Sequence, residues 1–153
     1  MDATAAEEEV RAANAAFYAA FESRDLDGMS AVWEHSDRAT VTHPGWPPLR
    51  GWARIIGSWE AIFANTAFIQ FVLTDDVVTV VGDAAWVTLD ENILQSAGQP
   101  PGQSGEHSSG SPEGDELSGA RIAALNVFAK GDDGWRLVVH HGSPVSAPAD
   151  FDV

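Results

Sequence analysis

The sequence contains no cysteine, few basic residues and no long apolar run, and each absence excludes a class of protein. Without cysteine there can be no disulfide scaffold, no thiolate metal site and no cysteine nucleophile. No apolar run approaches the roughly 18 residues of a membrane-spanning helix. The N-terminus is acidic, whereas a signal peptide begins with a basic segment. We therefore expect a cytoplasmic protein that does not associate with membranes.

The charge of the chain is strongly negative. Eight Lys and Arg residues stand against 23 Asp and Glu residues, which gives a formal net charge of −15. No basic cluster is present to neutralise phosphates, so we expect neither nucleic acid nor an anionic lipid surface as a partner. The acidic residues gather near the N-terminus, around 106–116 and in the C-terminal tail, a pattern typical of solvated surface.

The length and apolar content predict one folded domain. With 153 residues, 44% of them hydrophobic, the chain can bury one adequate core but not two. We therefore expect a single domain spanning 1–153. Within it, residues 96–118 are rich in glycine, serine and proline, which predicts a flexible loop between two strands.

Three helices are expected before the main strands. Apolar residues at three- and four-residue steps predict one helix from Glu7 to about Ser23 and a short second one from Leu26 to near His35. A third helix begins at Gly51 and carries the most regular apolar stripe of the chain: Trp52, Ile55, Ile56, Trp59, Ile62 and Phe63. This stripe must pack against another apolar surface, and a curved sheet would provide one.

Extended segments dominate the rest of the chain. A short β-branched run at 39–43 is followed, after the third helix, by segments 68–74, 77–81, 84–94, 121–129 and 135–141. Glycine- and aspartate-containing turns predict antiparallel hairpins. The fold class we predict is α+β, with the N-terminal helices packed on one strongly curved, mostly antiparallel sheet. A cone of this kind would enclose a pocket.

Two polar residues interrupt the apolar faces of the predicted strands. Alternation places Glu91 and Asn126 on the inward faces of segments 84–94 and 121–129. Burial of a carboxylate raises its pKa toward the range of a general base, so Glu91 is a candidate catalytic residue. Asn126 is a candidate for holding a substrate oxygen. The alternative for Glu91 is a structural carboxylate with satisfied hydrogen bonds, or a bulge that turns it to solvent.

Two adjacent histidines, His140 and His141, end the last predicted strand. In a regular strand they point to opposite faces, so only one can reach the pocket. Counting from Arg136, which we expect on the surface, places His141 inward, whereas a bulge would place His140 there. Both are candidate catalytic residues, and a buried structural histidine is the alternative for each.

Further residues are candidates for binding a ligand. His43 precedes a proline-rich loop and could join Glu91 and one of the paired histidines in a metal site, but no spacing motif supports this. We therefore expect no metal and no other cofactor. Stacking on a ligand and core packing would each explain the tryptophans. The candidate binding residues are Tyr18, His43, Trp46, Trp52, Gln70 and Asn126.

The order of the elements, the third-helix stripe and the ending GWRLVVHHGSP at 134–144 resemble the NTF2-like, or SnoaL-like, superfamily. Within it, the ending is most similar to the association domain of calcium/calmodulin-dependent kinase II and its small bacterial relatives. There a Gly-x-Trp turn leads into a strand that ends in alternating histidines and a serine. Gly134, Trp135, His141 and Ser143 approximate this pattern. The resemblance implies the NTF2-like cone.

The resemblance also implies which residues face the pocket. Glu91, Asn126 and Gly142 stand where the association domain has three pocket arginines, so a cationic pocket has become neutral or acidic. The face of Gly142, and hence of His140, would then turn inward. Ketosteroid isomerases are similar in having a tyrosine in the first helix, as Tyr18 is here, but their pocket aspartates have no counterpart. Polyketide cyclases, which use an acid or a histidine as proton shuttle, are similar as well.

We expect a small-molecule-binding protein whose cone-shaped pocket takes a neutral, mostly apolar ligand. Any catalysis would be acid–base chemistry of an isomerase, cyclase or hydrolase, with Glu91 as base and a histidine as partner. The alternative is a non-catalytic, homo-oligomeric association module. We also expect a homodimer formed through the outer sheet face, because Trp86, Thr88 and Leu94 leave that face partly apolar.

Overall fold

The computed structural model describes residues 3–97 and 117–146, in which three helices pack on one six-stranded sheet. The helices are α1 (Ala3–Ser23), α2 (Leu26–Val32) and α3 (Trp52–Ala64). The strands are β1 (Thr40–Thr42), β2 (Leu49–Arg50), β3 (Thr66–Val81), β4 (Ala84–Ala97), β5 (Ser118–Gly131) and β6 (Gly134–Pro144). The α+β class predicted from the sequence is confirmed.

The sheet has the strand order β2-β1-β6-β5-β4-β3. All neighbouring strands are antiparallel except β1 and β6, which run parallel. The short strand β2, which the sequence did not predict, pairs with β1 through Leu49 and Arg50. The long strands β4, β5 and β6 therefore lie side by side, and their inward side chains face the helices.

A bulge bends β3 in its middle. The register with β4 breaks between Thr74 and Val77, so Asp75 and Asp76 of β3 stand opposite the single residue Leu89 of β4. Asp75 adopts a positive φ of 58°. The sequence predicted two separate strands here, but the bulge interrupts the alternation without ending the pairing. Arg11 of α1 forms an ion pair with Asp76, which ties the helix to the bend.

A second bulge lies in β6. Val139 is opposite Val127 of β5, whereas Leu137 is opposite Phe128. One extra residue, Val138, is therefore inserted in β6. Because side chains alternate with period two, a one-residue insertion reverses which of the later positions face inward.

This second bulge decides the orientation of the paired histidines. His140 lies opposite Asn126 and is buried, with 2% of its surface exposed, whereas His141 is exposed on the outer face. The inward orientation that counting from Arg136 gave to His141 is wrong, because the count passes through the bulge. The orientation implied by the family resemblance, with His140 inward, agrees with the structure.

The helices bury their apolar stripes against the inner face of the sheet. Phe17 of α1 and Trp59 of α3 are fully buried, and their rings meet edge to face with centroids 5.7 Å apart. Phe21 extends this cluster to Trp59 and to Phe71 of β3. Burial of each such side chain stabilises the fold by roughly 1.5–3 kcal/mol. Much of the cone is thus filled by aromatic rings.

Two further expectations concern membrane-spanning helices and the loop at 96–118. Within the described residues, no helix is long and apolar enough to cross a membrane. The predicted loop at 96–118 lies almost entirely outside the described residues, with β4 ending at Ala97 and β5 beginning at Ser118.

Gly142 permits close approach of β6 to the proline-rich loop, which gives a testable prediction. A Cβ at this position would lie 3.0 Å from Ile122 Cγ2 and 3.2 Å from Pro44 Cγ. We expect Gly142→Ala to lower the free energy of unfolding by about 1–3 kcal/mol through overpacking, measured by urea denaturation. Gly57, within α3, has open space around it, so Gly57→Ala should instead stabilise by up to about 1 kcal/mol. Equal effects of the two substitutions would contradict this interpretation.

Candidate functional site

Polar side chains from four elements meet inside the cone. Tyr18 comes from α1, Glu91 from β4, Asn126 from β5 and His140 from β6, and none of them is more than 3% exposed. Strand alternation turns Glu91 and Asn126 inward, the bulge in β6 turns His140 inward, and the helical stripe of α1 does the same for Tyr18. We call these four residues the inner polar chain.

The inner polar chain is joined by hydrogen bonds that all run in one direction. The Tyr18 hydroxyl donates to Glu91 Oε2 at 2.5 Å. Asn126 Nδ2 donates to Tyr18 Oη at 3.2 Å and to Asn14 Oδ1 at 2.9 Å. With its amide nitrogen engaged in this way, Asn126 presents Oδ1 to His140 Nδ1 at 2.5 Å, so the histidine nitrogen is the donor. The donors therefore point from His140 toward Glu91.

Glu91 is held at a pKa suited to proton transfer near neutral pH. Burial raises the pKa of this carboxyl from 4.5 to about 7, and the Tyr18 hydrogen bond partly opposes the rise. Burial and the nearby Glu91 charge raise the Tyr18 pKa well above its ordinary value, so the phenol stays a donor. Among the described residues, no donor reaches Glu91 Oε1. One carboxyl oxygen is thus fixed and the other is left for a further partner.

His140 is neutral in this environment. Burial, together with the charges that His43 and His141 would carry, lowers its pKa to about 3. With Nδ1 donating to Asn126, the neutral ring carries its lone pair on Nε2. His140 therefore orients Asn126 and adds no positive charge beside Glu91.

A second polar pair lies next to the inner polar chain. His43 Nε2 is 2.9 Å from Ser58 Oγ, and the Ser58 hydroxyl donates to the Ile55 carbonyl at 2.7 Å, so His43 donates to the serine. Burial lowers the His43 pKa to about 4. The rings of Trp46 and Trp59 contact His43 edge to face, at 4.9 and 4.8 Å. Trp59 also contacts His140, so the His43–Ser58 pair and the inner polar chain pack against the same tryptophan ring.

Five of the predicted site residues lie outside the inner polar chain: His43 of the second polar pair, and His141, Gln70, Trp52 and Trp46. His141 and Gln70 are exposed on the outer face of the sheet, and Ile69 and Phe71 on either side of Gln70 are the residues that point inward. Trp52 stacks on His35 with centroids 4.1 Å apart, at the start of α3. Trp46, also predicted, is 42% exposed and covers His43. No cluster of three or more possible metal ligands exists within 3–97 and 117–146.

Sequence reasoning missed two residues of the site. Asn14 accepts a hydrogen bond from Asn126, and Ser58 accepts one from His43. Asn14 could have been found, because it lies one helical turn before Tyr18 and so shares its face of α1. Ser58 adjoins the buried Trp59 on α3, but a serine on a helix face carries no distinctive signal.

The pKa of Glu91 gives a prediction about stability. Because the Glu91 pKa is higher in the folded than in the unfolded protein, protonation of Glu91 stabilises the folded state. This contribution to the free energy of unfolding is fully present below pH 4.5 and is lost as pH rises toward 7. The free energy of unfolding of Glu91→Gln minus that of the wild type should therefore rise by about 1.4 kcal/mol per pH unit between pH 4.5 and 7. Above pH 7 the difference should stay constant. Because Gln can still accept from Tyr18, its stability at pH 8 should equal or exceed that of the wild type.

Urea denaturation at pH 5, 6, 7 and 8 would measure this difference. Tyr18→Phe removes the hydrogen bond that lowers the Glu91 pKa, so the window should extend to higher pH in that variant. A difference between Glu91→Gln and wild type that does not vary with pH would show that Glu91 is charged throughout this range.

Two solved structures resemble this chain in both sequence and fold. An NTF2-like protein from Streptomyces avermitilis, named as a candidate dehydratase, is 39% identical, with 92% of this chain and 96% of that chain covered and a TM-score of 0.76. A protein from Thiobacillus denitrificans, named as a candidate calcium/calmodulin-dependent protein kinase type II association domain, is 32% identical. That match covers 89% of this chain and 94% of the other, with a TM-score of 0.69.

A more distant protein shows the fold alone. The NTF2-like superfamily protein from Salmonella enterica has a TM-score of 0.78 at 16% identity, covering 99% of this chain and 100% of that chain. Among curated proteins, no sequence matches the chain. Residues 10–148 match the family model described as the SnoaL-like domain. The resemblance predicted from the sequence is thus confirmed, and the chain belongs to the SnoaL-like domain family within the NTF2-like fold.

Proposed function

We propose that this protein transfers protons on a small, neutral, mostly apolar molecule, with Glu91 as the general base. The observation that carries the proposal is the state of the Glu91 carboxyl. It is buried, its pKa is raised to about 7, and only one of its oxygens is engaged by a described residue. A base whose pKa lies near the operating pH is both available and strong enough to accept a proton from carbon.

The other members of the inner polar chain have positioning roles in this proposal. Tyr18 fixes Glu91 Oε2 and leaves Oε1 for the substrate. Both N–H groups of Asn126 are engaged, by Asn14 and Tyr18, so Asn126 holds Tyr18 in place and has no free donor for a substrate oxygen. His140 fixes the amide orientation from the other side. A rigid base held in this way needs little reorganisation when it reacts.

The chemistry begins with one common step. The Glu91 carboxylate accepts a proton from a carbon next to a carbonyl group, and the electrons of that C–H bond move toward the carbonyl oxygen. Return of the proton to another carbon gives isomerisation, and loss of a neighbouring hydroxyl with a proton, as water, gives dehydration. The name of the Streptomyces avermitilis relative, a candidate dehydratase, supports this class of reaction.

Hydrogen–deuterium exchange next to a carbonyl tests this proposal without a known substrate. Proton NMR in D₂O would follow a panel of methyl ketones and 3-hydroxy ketones with the wild type, Glu91→Gln and Gln70→Ala. We expect the wild type to accelerate exchange of at least one ketone, with a rate that rises with pH and levels off above about 7, because the base must be deprotonated.

Removal of the base should abolish this activity. Glu91→Gln should lower the exchange rate by about 100-fold or more, within the range general-base catalysis contributes. Gln70→Ala, on the outer face, should leave it unchanged. No acceleration across the panel, or equal rates for wild type and Glu91→Gln, would contradict the proposal.

A second candidate function, as an association module, is favoured by the outer sheet face. Val72, Trp86, Leu94 and Leu125 on this face are 36–59% exposed, and they lie on three adjacent strands. Exposed apolar surface of this kind marks interfaces in soluble proteins. The relative named as a candidate association domain supports assembly. We propose a twofold-symmetric homodimer through this face, which is compatible with either function.

Light scattering at micromolar concentration tests the homodimer. We expect a mass of twice the 16.3 kDa chain for the wild type. Leu125→Glu places a charge within the outer face and should shift the mass to that of one chain, because an unpaired charge is costly to bury. Ala53→Glu, on the exposed side of α3, is the control and should leave the mass unchanged. A wild-type mass near 16.3 kDa would rule the dimer out.

A further inference from the structure

A cleft separates the middle of α1 from the sheet. It has a volume of about 190 Å³, several times the roughly 30 Å³ that a water molecule occupies in the liquid. The cleft therefore has room for a molecule about the size of one small ring. Its lining residues are Arg11, Asn14 and Ala15 of α1, Leu73, Asp76 and Val78 of β3, and Val87 and Leu89 of β4.

Both walls of the cleft lead toward Glu91. On β4, Leu89 of the cleft and Glu91 are successive inward residues. On α1, Asn14 of the cleft lies four residues before Tyr18, the hydrogen-bond partner of Glu91. Residues four apart on a helix lie one above the other on the same face. The cleft thus borders the inner polar chain along two independent elements.

Asn14 has an unused hydrogen-bond donor at this border. It is 8% exposed, and its Oδ1 accepts from Asn126 at 2.9 Å. Its Nδ2 donates to no described residue. A donor without a partner in the described chain can bind an acceptor oxygen of a ligand. The oxygen-holding role that the sequence suggested for Asn126 is open to Asn14, because the Asn126 donors are both engaged.

The remaining lining favours a neutral ligand. Leu73, Val78, Val87 and Leu89 make the walls apolar. At the rim, the guanidinium of Arg11 is paired with the carboxylate of Asp76, so the rim carries no net charge from these two side chains. Apolar walls with a single well-placed donor are typical of sites for mostly apolar small molecules.

We propose that this cleft is the binding subsite for the substrate, that it takes a neutral, single-ring-sized carbonyl compound, and that the Asn14 side-chain amide donates to the carbonyl oxygen. The proposal rests on the function proposed for Glu91, since it supplies the substrate class for that base. The carbonyl oxygen on Asn14 would accumulate negative charge as Glu91 removes the neighbouring proton.

Binding of acetophenone, compared with ethylbenzene, tests the proposal. The two probes have nearly the same shape, and only acetophenone has a carbonyl oxygen. In ¹⁵N-edited NMR titrations of the wild-type chain, acetophenone should bind saturably and shift the side-chain amide signals of Asn14. Ethylbenzene should bind at least fivefold more weakly and leave these signals near their free positions.

A matched pair of helix substitutions locates the binding. Ala15 and Ala16 are neighbouring exposed positions of α1, and of the two only Ala15 lines the cleft. Ala15→Phe should fill the cleft and weaken acetophenone binding at least tenfold, whereas Ala16→Phe should stay within twofold of the wild type. Phe has a similar helix propensity cost at both positions, so loss of folding alone would affect the two variants alike.

Three outcomes would overturn the proposal. These are no saturable binding of acetophenone, equal affinity for the two probes, and equal affinity of Ala15→Phe and wild type. The result is separable from the test of Glu91, because binding is read without turnover. Cleft binding without catalysed exchange would contradict only the role of Glu91, and Glu91-dependent exchange that Ala15→Phe leaves unchanged would contradict only the cleft.

Discussion

A carboxyl group buried in an aromatic interior is the constraint on which the candidate site depends. Glu91 is only 2% exposed, so its charged form is unfavourable and its pKa rises to about 7. Tyr18 offsets part of this cost with one hydrogen bond, and it is positioned in turn by Asn126 and His140. The polar residues of three strands and one helix are therefore arranged around a single acidic group.

Much of this arrangement could be predicted from the sequence because strand alternation is a local property. The inward positions of Glu91 and Asn126 followed from period two, since β4 and β5 pair without a register break between them. The same rule failed for His141, because the extra residue Val138 reverses the alternation and no residue type marks such a bulge. Helical spacing places Asn14 on the face of α1 that carries Tyr18, but its hydrogen bond to Asn126 joins distant parts of the chain and is not a local property.

The relatives share the fold of this chain but carry names for different functions. The SnoaL-like family model covers residues 10–148, and relatives above 30% identity carry names as different as dehydratase and association domain. Membership of the family therefore does not decide function, which must be argued from the site. In this chain the site combines a carboxyl group with a pKa of about 7, neutral histidines and one unused amide donor. An anionic ligand would find no free cation among these groups.

The side-chain amide of Asn126, in the middle of the inner polar chain, does not relay protons. An amide passes on hydrogen-bond direction, but it neither gains nor loses a proton at ordinary pH. His140 and Glu91 are thus connected in geometry and disconnected in acid–base chemistry. No proton can travel from the histidine to the carboxyl along this path, so every proton that Glu91 gains or loses must pass through its own free oxygen.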